Sequence, residues 1–156
     1  MNYFDHYQLL AEAPHLIPDL AGQLVMQWEP IFPDASIEYF SSKLSRHLNT
    51  CDLPIAWVAH ADGKALGMAS LRILDHENHP DLSPWLGGVY VAPVLREHGI
   101  GTRLCQIVEA KAADLGFHSL YLFTLDKQEW YRKQGWRVLK SCTWLNYSGD
   151  IIMKNM

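Results

Sequence analysis

The stretch Val89-Tyr90-Val91-Ala92-Pro93-Val94-Leu95-Arg96-Glu97-His98-Gly99-Ile100-Gly101-Thr102 decides the reading of this 156-residue chain. An extended apolar run stops at Pro93, a basic residue follows at Arg96, and Gly99 and Gly101 open a helical pattern. A helix start leaves its first N–H groups without partners and carries partial positive charge, so it draws anions. Glycine lets a phosphate approach the main chain closely and accepts backbone angles that other residues avoid. Arg96 adds a fixed charge beside those donors. Strand, turn and helix in this order therefore point to a phosphate-bearing ligand held largely by backbone. The stretch is not the G-x-G-x-x-G of dinucleotide-binding folds, and no G-K-[ST] follows as a P-loop demands. A glycine-rich turn without a ligand is the competing reading of the same residues.

Composition bounds the answer. A chain of this length forms one core, expected as a single domain over residues 1–156. Its apolar fraction of 49% and charged fraction of 19% are those of a globular protein. Residues 1–10 carry no basic, apolar leader pattern, and the longest uncharged stretch, 82–95, holds two prolines and is too short for a bilayer. Cys51, Cys105 and Cys142 match neither a zinc spacing nor a disulfide framework. They are expected as reduced core thiols of a cytoplasmic protein with no membrane partner. The net charge of −4 argues against nucleic acid. Its distribution is uneven, with a balance of −7 over residues 1–95 and +3 over 96–156. A basic C-terminal half suits a polyphosphorylated ligand and an acidic N-terminal half a cationic one, although chance segregation gives the same pattern.

The periodicities build an α/β (α+β) fold with a mixed, mainly antiparallel sheet. Residues 3–10 are expected as a first strand. Leu16, Leu20, Leu24 and Trp28 recur every four residues and predict a helix over 14–28, ended by Pro30 and Pro33. Ser36 is placed to cap a second helix with Phe40, Leu44, His47 and Leu48 on its apolar stripe. Strands at 55–60 and 64–74 flank the Asp62-Gly63 turn. A polar, exposed loop at 75–83 leads into the strand 85–91. The helix after the glycines turns Leu104, Ile107, Val108, Ala112 and Leu115 inward and stops at Gly116. A buried strand at 119–125, a short helix at 127–134 and a hairpin crossing Asn146–Gly149 complete the chain.

The order strand, R-x-x-G-x-G, helix resembles the acyl-CoA signature of the GNAT N-acetyltransferase superfamily, read here as Arg96-Glu97-His98-Gly99-Ile100-Gly101. The resemblance runs from about Lys64 to the C-terminus and implies a twisted, mainly antiparallel sheet flanked by helices. It implies acetyl-CoA as co-substrate and transfer to a primary amine of a small molecule or peptide by direct attack. Backbone groups from Glu97, His98, Gly99, Ile100, Gly101 and Thr102 would face the pyrophosphate, with Arg96 beside them. Val89, Tyr90 and Val91 would run along the pantetheine arm. That slot comes from a strand bulge, for which Gly87-Gly88 is suited. Trp130-Tyr131-Arg132-Lys133-Gln134-Gly135-Trp136 is similar to the family's Y-x-x-x-G-[FW] block. The resemblance makes Tyr131 the catalytic proton donor to the leaving thiolate, against a packing role for the same ring.

Two departures from the family pattern stand out. Some relatives carry a His or Glu on the strand before the motif, whereas Trp85-Leu86-Gly87-Gly88 has no ionisable group. Asp81, His79, Glu29 or water are then the candidate bases. Many relatives carry an Asn where this chain has Thr124, seven residues before Tyr131. A hydroxyl replaces one amide hydrogen bond but not two. His76, Glu77, His79 and Asp81 match no zinc template, so no metal is expected. Trp28 and Trp85 are candidate walls of an acceptor pocket, and the final hairpin is a candidate homodimer contact. The rival readings are transfer of another acyl group and a non-catalytic CoA-binding module.

Overall fold

The computed structural model describes residues 6–156. Seven strands form one sheet in the order β1-β2-β3-β4-β5-β7-β6. They are β1 (Tyr7–Leu9), β2 (Ile55–Ala61), β3 (Lys64–Arg72), β4 (Trp85–Val91), β5 (Ser119–Thr124), β6 (Arg137–Trp144) and β7 (Tyr147–Asn155). Every neighbouring pair is antiparallel except β4 with β5. Parallel neighbours need a long crossover, and α3 (Ile100–Asp114) supplies it. Helices α1 (Ile17–Trp28) and α2 (Ile37–Ser45) pack on the opposite face, and the short α4 (Gln128–Arg132) follows β5. Among the described residues no helix is long and apolar enough to cross a membrane.

Local chemistry sets the helix ends. Ser36 caps α2, its Oγ accepting the Tyr39 N–H at 3.1 Å. Helix α3 ends in a Schellman turn: Gly116 is left-handed at φ +91°, with its N–H on Ala113 O and that of Phe117 on Ala112 O.

The sheet separates two apolar layers. On one side α3 lays Ile100, Leu104, Cys105, Val108 and Ala112 against Trp57, Leu71, Leu86, Leu120, Leu122 and Ile152. On the other, Leu16, Leu20 and Leu24 of the α1 region and Phe40 and Leu44 of α2 cover Ala56, Val58, Met68 and Tyr90. Strand β2 therefore has no exposed face, and its apolar run is continuous rather than alternating.

Several expectations need correction. The expected first strand is confined to Tyr7–Leu9, and its residues before 6 lie outside the described part. Strand β5 buries only alternate residues, Leu120, Leu122 and Thr124, because among the described residues no helix covers its other face. The last hairpin turns on two residues, Leu145 (φ +48°) and Asn146 (φ +71°), not four. Both angles are positive, as a type I′ turn requires, so Tyr147 and Ser148 stay in the strand. Leu115 is 39% exposed and Cys51 is exposed, so neither belongs to the core. His76, placed in a polar loop, is only 2% exposed, its ring edge-on to Phe123.

Gly67 on β3 is closely enclosed between the neighbouring strand and α3. A Cβ there would stand 2.6 Å from the Tyr90 carbonyl oxygen and 3.3 Å from Leu104 Cδ1. The first of these is backbone and cannot rotate away. Gly67→Ala is expected to destabilise the fold by about 1–3 kcal/mol, the usual cost of overpacking. Urea unfolding measures this, and an unchanged midpoint would refute the packing argument.

Candidate active site

The ladder between β4 and β5 opens almost as soon as it begins. Trp85 pairs with Tyr121, the Tyr121 N–H donates to Pro84 O at 3.1 Å, and no further pair joins the two strands. On its other edge β4 slips against β3: Met68 pairs with Tyr90 but Ser70 with Gly87, leaving Ala69 opposite both Gly88 and Val89. This is a bulge, and Gly88 takes the left-handed angle it needs, φ +60°. The bulge bends β4 away from β5 and leaves a slot flanked by Val89, Tyr90 and Val91.

The helix that begins beside β4 is not capped by any side chain. Gly99 is its N-cap at φ +87°, and no acidic residue lies in the first turn. The first helical bond runs from Arg103 N to Gly99 O, so the N–H groups of Ile100, Gly101 and Thr102 have no partner among the described residues. Glu97 is also left-handed at φ +68°, a conformation that costs a residue with a Cβ about 1–2 kcal/mol. Open donors, a helix dipole and backbone held against its preference fit a polyphosphate. Arg96 is tied back: its Nε donates to Val91 O at 2.9 Å and its Nη2 to Gln27 Oε1 at 2.8 Å. It thus links the loop after β4 to α1 while its exposed guanidinium stays near the helix start.

Tyr131 lies on the α3 side of the slot. Thr124 Oγ1 accepts the Lys127 N–H at 3.0 Å, which starts the turn into α4. Thr124 thus holds the turn that precedes α4, with its hydroxyl proton still free to donate. The Tyr131 ring is 6% exposed, edge-on to Trp130 at 4.8 Å and to Trp136 at 5.9 Å. Burial pushes its phenol well above the ordinary tyrosine range, and Cys105 beside it adds to the shift. The hydroxyl stays protonated throughout the physiological range.

The opposite face of β4 carries groups that sequence reasoning missed. Because of the bulge, Gly87 and Gly88 both face the α1–α2 layer, and Arg72 of β3 lies across them. A Cβ on Gly87 would meet Arg72 Nη1 at 2.9 Å and Asp75 Oδ1 at 3.0 Å; one on Gly88 would meet Arg72 Nη2 at 2.6 Å. Arg72 Nη1 donates to Asp75 Oδ1 at 2.7 Å, and its Nε donates to His47 Nε2 at 3.0 Å. His47 Nδ1 in turn donates to Lys43 O at 2.8 Å, which fixes the neutral tautomer. Burial and the adjacent Arg72 lower the His47 pKa to about 4. The available signal was a pair of adjacent strand glycines opposite an arginine, which leaves room for that arginine.

The expected bases are scattered. Glu29 ends α1 and is exposed, as is Asp81. His79 lies edge-on to His76, ring centroids 4.8 Å apart, and burial together with His76 and Lys140 lowers its pKa. His76 Nε2 lies 3.7 Å from Cys142 Sγ. Among the described residues no three His, Cys, Asp or Glu are arranged to hold a metal ion. Trp85 is fully buried, its indole N–H donating to Leu82 O at 2.6 Å, so it cannot wall an acceptor pocket. Trp28 instead joins an aromatic group with Phe32 and Trp144.

Comparison with known proteins agrees with this geometry. The sequence pattern of the Acetyltransferase (GNAT) family matches residues 21–136. An aminoglycoside 6'-acetyltransferase type Ii superposes with a TM-score of 0.76 at 20% identity, over 96% of each chain. An aminoglycoside 6'-N-acetyltransferase complexed with coenzyme A does so at 0.73 and 18%, again over 96% of each. A ribosomal-protein-alanine N-acetyltransferase from Brucella melitensis reaches 0.72 at 20% identity, over 96% of this chain and 99% of its own. No curated protein matches the chain in sequence.

His47 makes stability depend on pH. The unfolded chain protonates this residue near the ordinary value of about 6.5, the folded chain only at about 4. Between these values the unfolded state holds the extra proton, so the contribution is complete above about pH 6.5 and is lost as pH falls through about 4. Between pH 7.5 and 4.5 the native chain should lose about 2–3 kcal/mol more stability than a His47→Gln variant. Urea titrations at both pH values test this; equal losses would refute a neutral, buried His47.

Proposed function

Because the chain belongs to the acetyltransferase (GNAT) family, we propose that it moves an acetyl group from acetyl-CoA to a primary amine of a small molecule or peptide. The observation that carries this reading is the β4–β5 slot, which has the uncapped start of α3 near one bank and the Tyr131 hydroxyl on the α3 side. The free N–H groups of Ile100, Gly101 and Thr102, joined by backbone of Glu97, His98 and Gly99, suit the pyrophosphate. Arg96 offers charge at the same place. The unpaired edge of β4 at Val89, Tyr90 and Val91 suits the amides of a pantetheine arm, as an added strand would. Thr124 retains a hydroxyl proton for the same arm. Two of the neighbours are named as N-acetyltransferases, of an aminoglycoside and of ribosomal-protein alanine, which supports an amine as acceptor here.

When bound, acetyl-CoA supplies an activated acyl carbon, to which the amine nitrogen bonds as the carbon–sulfur bond breaks. Backbone N–H groups of β4 polarise the carbonyl oxygen in the manner of an oxyanion hole. Tyr131 donates a hydrogen bond and then its proton to the departing sulfur. Its raised pKa makes a lasting phenolate costly, so the proton shed by the acylated nitrogen returns to it through solvent. The products are the N-acetyl amide and the CoA thiol. Free thiols at Cys51, Cys105 and Cys142 suit a reducing, cytoplasmic setting.

Calorimetric titration with acetyl-CoA, with ATP and NADH as controls, is expected to show micromolar binding of acetyl-CoA alone; absence of binding to folded protein would overturn the reading. Tyr131→Phe should lower kcat roughly 10- to 1000-fold with acetyl-CoA affinity nearly unchanged. A kcat equal to that of the native chain would remove Tyr131 from the chemistry.

A further inference from the structure

Helix α4 carries Tyr131 yet runs for only five residues. A helix that short gains little from its own hydrogen bonds and takes its orientation from what it packs against. Trp136 backs the Tyr131 ring from the core, where it is 3% exposed. Trp130 is 37% exposed and lies edge-on to Tyr131. Its indole reaches out of α4 to the first turn of α3. A Cβ on Gly101 would stand 3.4 Å from Trp130 Cη2, 3.5 Å from its Cζ2 and 3.4 Å from Val91 Cγ2. The indole and Val91 therefore meet the same bare face of Gly101. Trp130 spans from the helix after β5 to the place where β4 and α3 come together.

We propose that Trp130 is a positioning residue for the transfer, its indole bracing α4 against Gly101 so that the Tyr131 hydroxyl stands at the thioester sulfur. The assignment rests on the acetyl transfer proposed above. The cofactor's phosphates would be held at the start of α3, whereas the proton donor sits on α4, and β5 lies between the two in the chain. The sulfur arrives within reach of the phenol only if those two places keep a fixed separation. A misplacement of about 1 Å costs on the order of 100-fold in rate. Trp130 touches both places and so sets that separation.

Exposure and backbone both favour this role over simple packing. An indole left 37% exposed on a five-residue helix adds little to a core that Trp136 already fills. Gly101 lies inside right-handed α3 and is not among the glycines of positive φ, so its backbone does not demand glycine. The missing side chain provides a seat for the indole instead. A methyl there would just touch the ring at 3.4 Å, and anything longer would push Trp130, and α4 with it, away from α3.

The test compares the native chain with Trp130→Ala, Tyr131→Phe and the double variant. Acetyl-CoA affinity is read by calorimetry and turnover by CoA release with kanamycin, spermidine, tyramine and a tripeptide beginning with alanine. On the best of these amines Trp130→Ala should lower kcat about 10- to 100-fold, the scale of a misplaced reacting group, with acetyl-CoA affinity changed by less than about 3-fold. In the Tyr131→Phe background the same substitution should cost little, because no hydroxyl is left to position, whereas a purely structural role would add in full. If Trp130→Ala does not fold, Trp130→Phe carries the same cycle, since its shorter ring keeps the edge contact to Tyr131 but falls short of Gly101. Equal losses in both backgrounds, a native kcat without the indole, or acetyl-CoA affinity that falls as far as kcat overturns the assignment and leaves acetyl transfer standing. A Tyr131→Phe chain as fast as the native one overturns it together with the role of the tyrosine. A native chain that binds no acetyl-CoA or acetylates none of the four amines overturns the transfer reading as well.

Discussion

The slip of β4 against β3 at Gly88 is the constraint on which the site depends. Sheet interiors do not leave backbone donors and acceptors unpaired, because each orphaned group costs about 1–3 kcal/mol when buried. Here the extra residue bends β4 away from β5 after a single pair, Trp85 with Tyr121, and an edge opens in the middle of a seven-stranded sheet. Such an edge is tolerable when a ligand with amides of its own completes the ladder. The same bend brings the end of β4 to Pro93, from which the chain turns through Glu97 and Gly99 into α3. The slot and the bare start of α3 both follow from one irregularity.

The bulge also divides the chemistry between the two faces. Toward α3 the wall is apolar and encloses Tyr131, whose burial keeps its proton in place. Toward α1 and α2 the wall is polar, built from His47, Arg72, Asp75 and Ser70, whose Oγ donates to Gly87 O at 2.7 Å. A buried arginine is costly when its donors lack partners. Arg72 meets that cost with a neutral imidazole on one side and a carboxylate on the other, and its side chain keeps 12% of its surface exposed. The charged pair can therefore sit against backbone in a layer that is otherwise packed with Leu and Phe.

Much of the framework was legible in the sequence because it is local. Ser36 at the head of a period-four stripe, Gly116 after another, and the Asp62-Gly63 turn each act within a few residues and start, stop or turn the chain where expected. Helix α2 nevertheless ends at Ser45, so His47 and the exposed Leu48 lie past the helix rather than on its stripe. The glycines at 99 and 101 announce a bare helix start for the same reason. The misreadings arose where neighbours remote in sequence decide. Strand β5 looks fully buried from its run of apolar residues, but the layer that would cover its second face stops short. His76 looks exposed from its polar surroundings, but Phe123 and Cys142 enclose it.

By itself, then, the sequence determined the order of strands and helices, the glycine-opened turn into α3 and the tyrosine placed to follow β5. These are set by propensity, capping and periodicity, which act over one or two turns of chain. Only the tertiary structure decided what faces the bare glycines of β4. A one-residue change of register sends a strand's side chains to the other face, so Gly87 and Gly88 share a side only because Ala69 stands opposite both Gly88 and Val89. Arg72, Asp75 and His47 meet there from β3, from the loop after it and from the turn just past α2, across up to 28 positions of sequence. No spacing rule records that meeting, because it is fixed by which residues of β3 and β4 hydrogen-bond to each other.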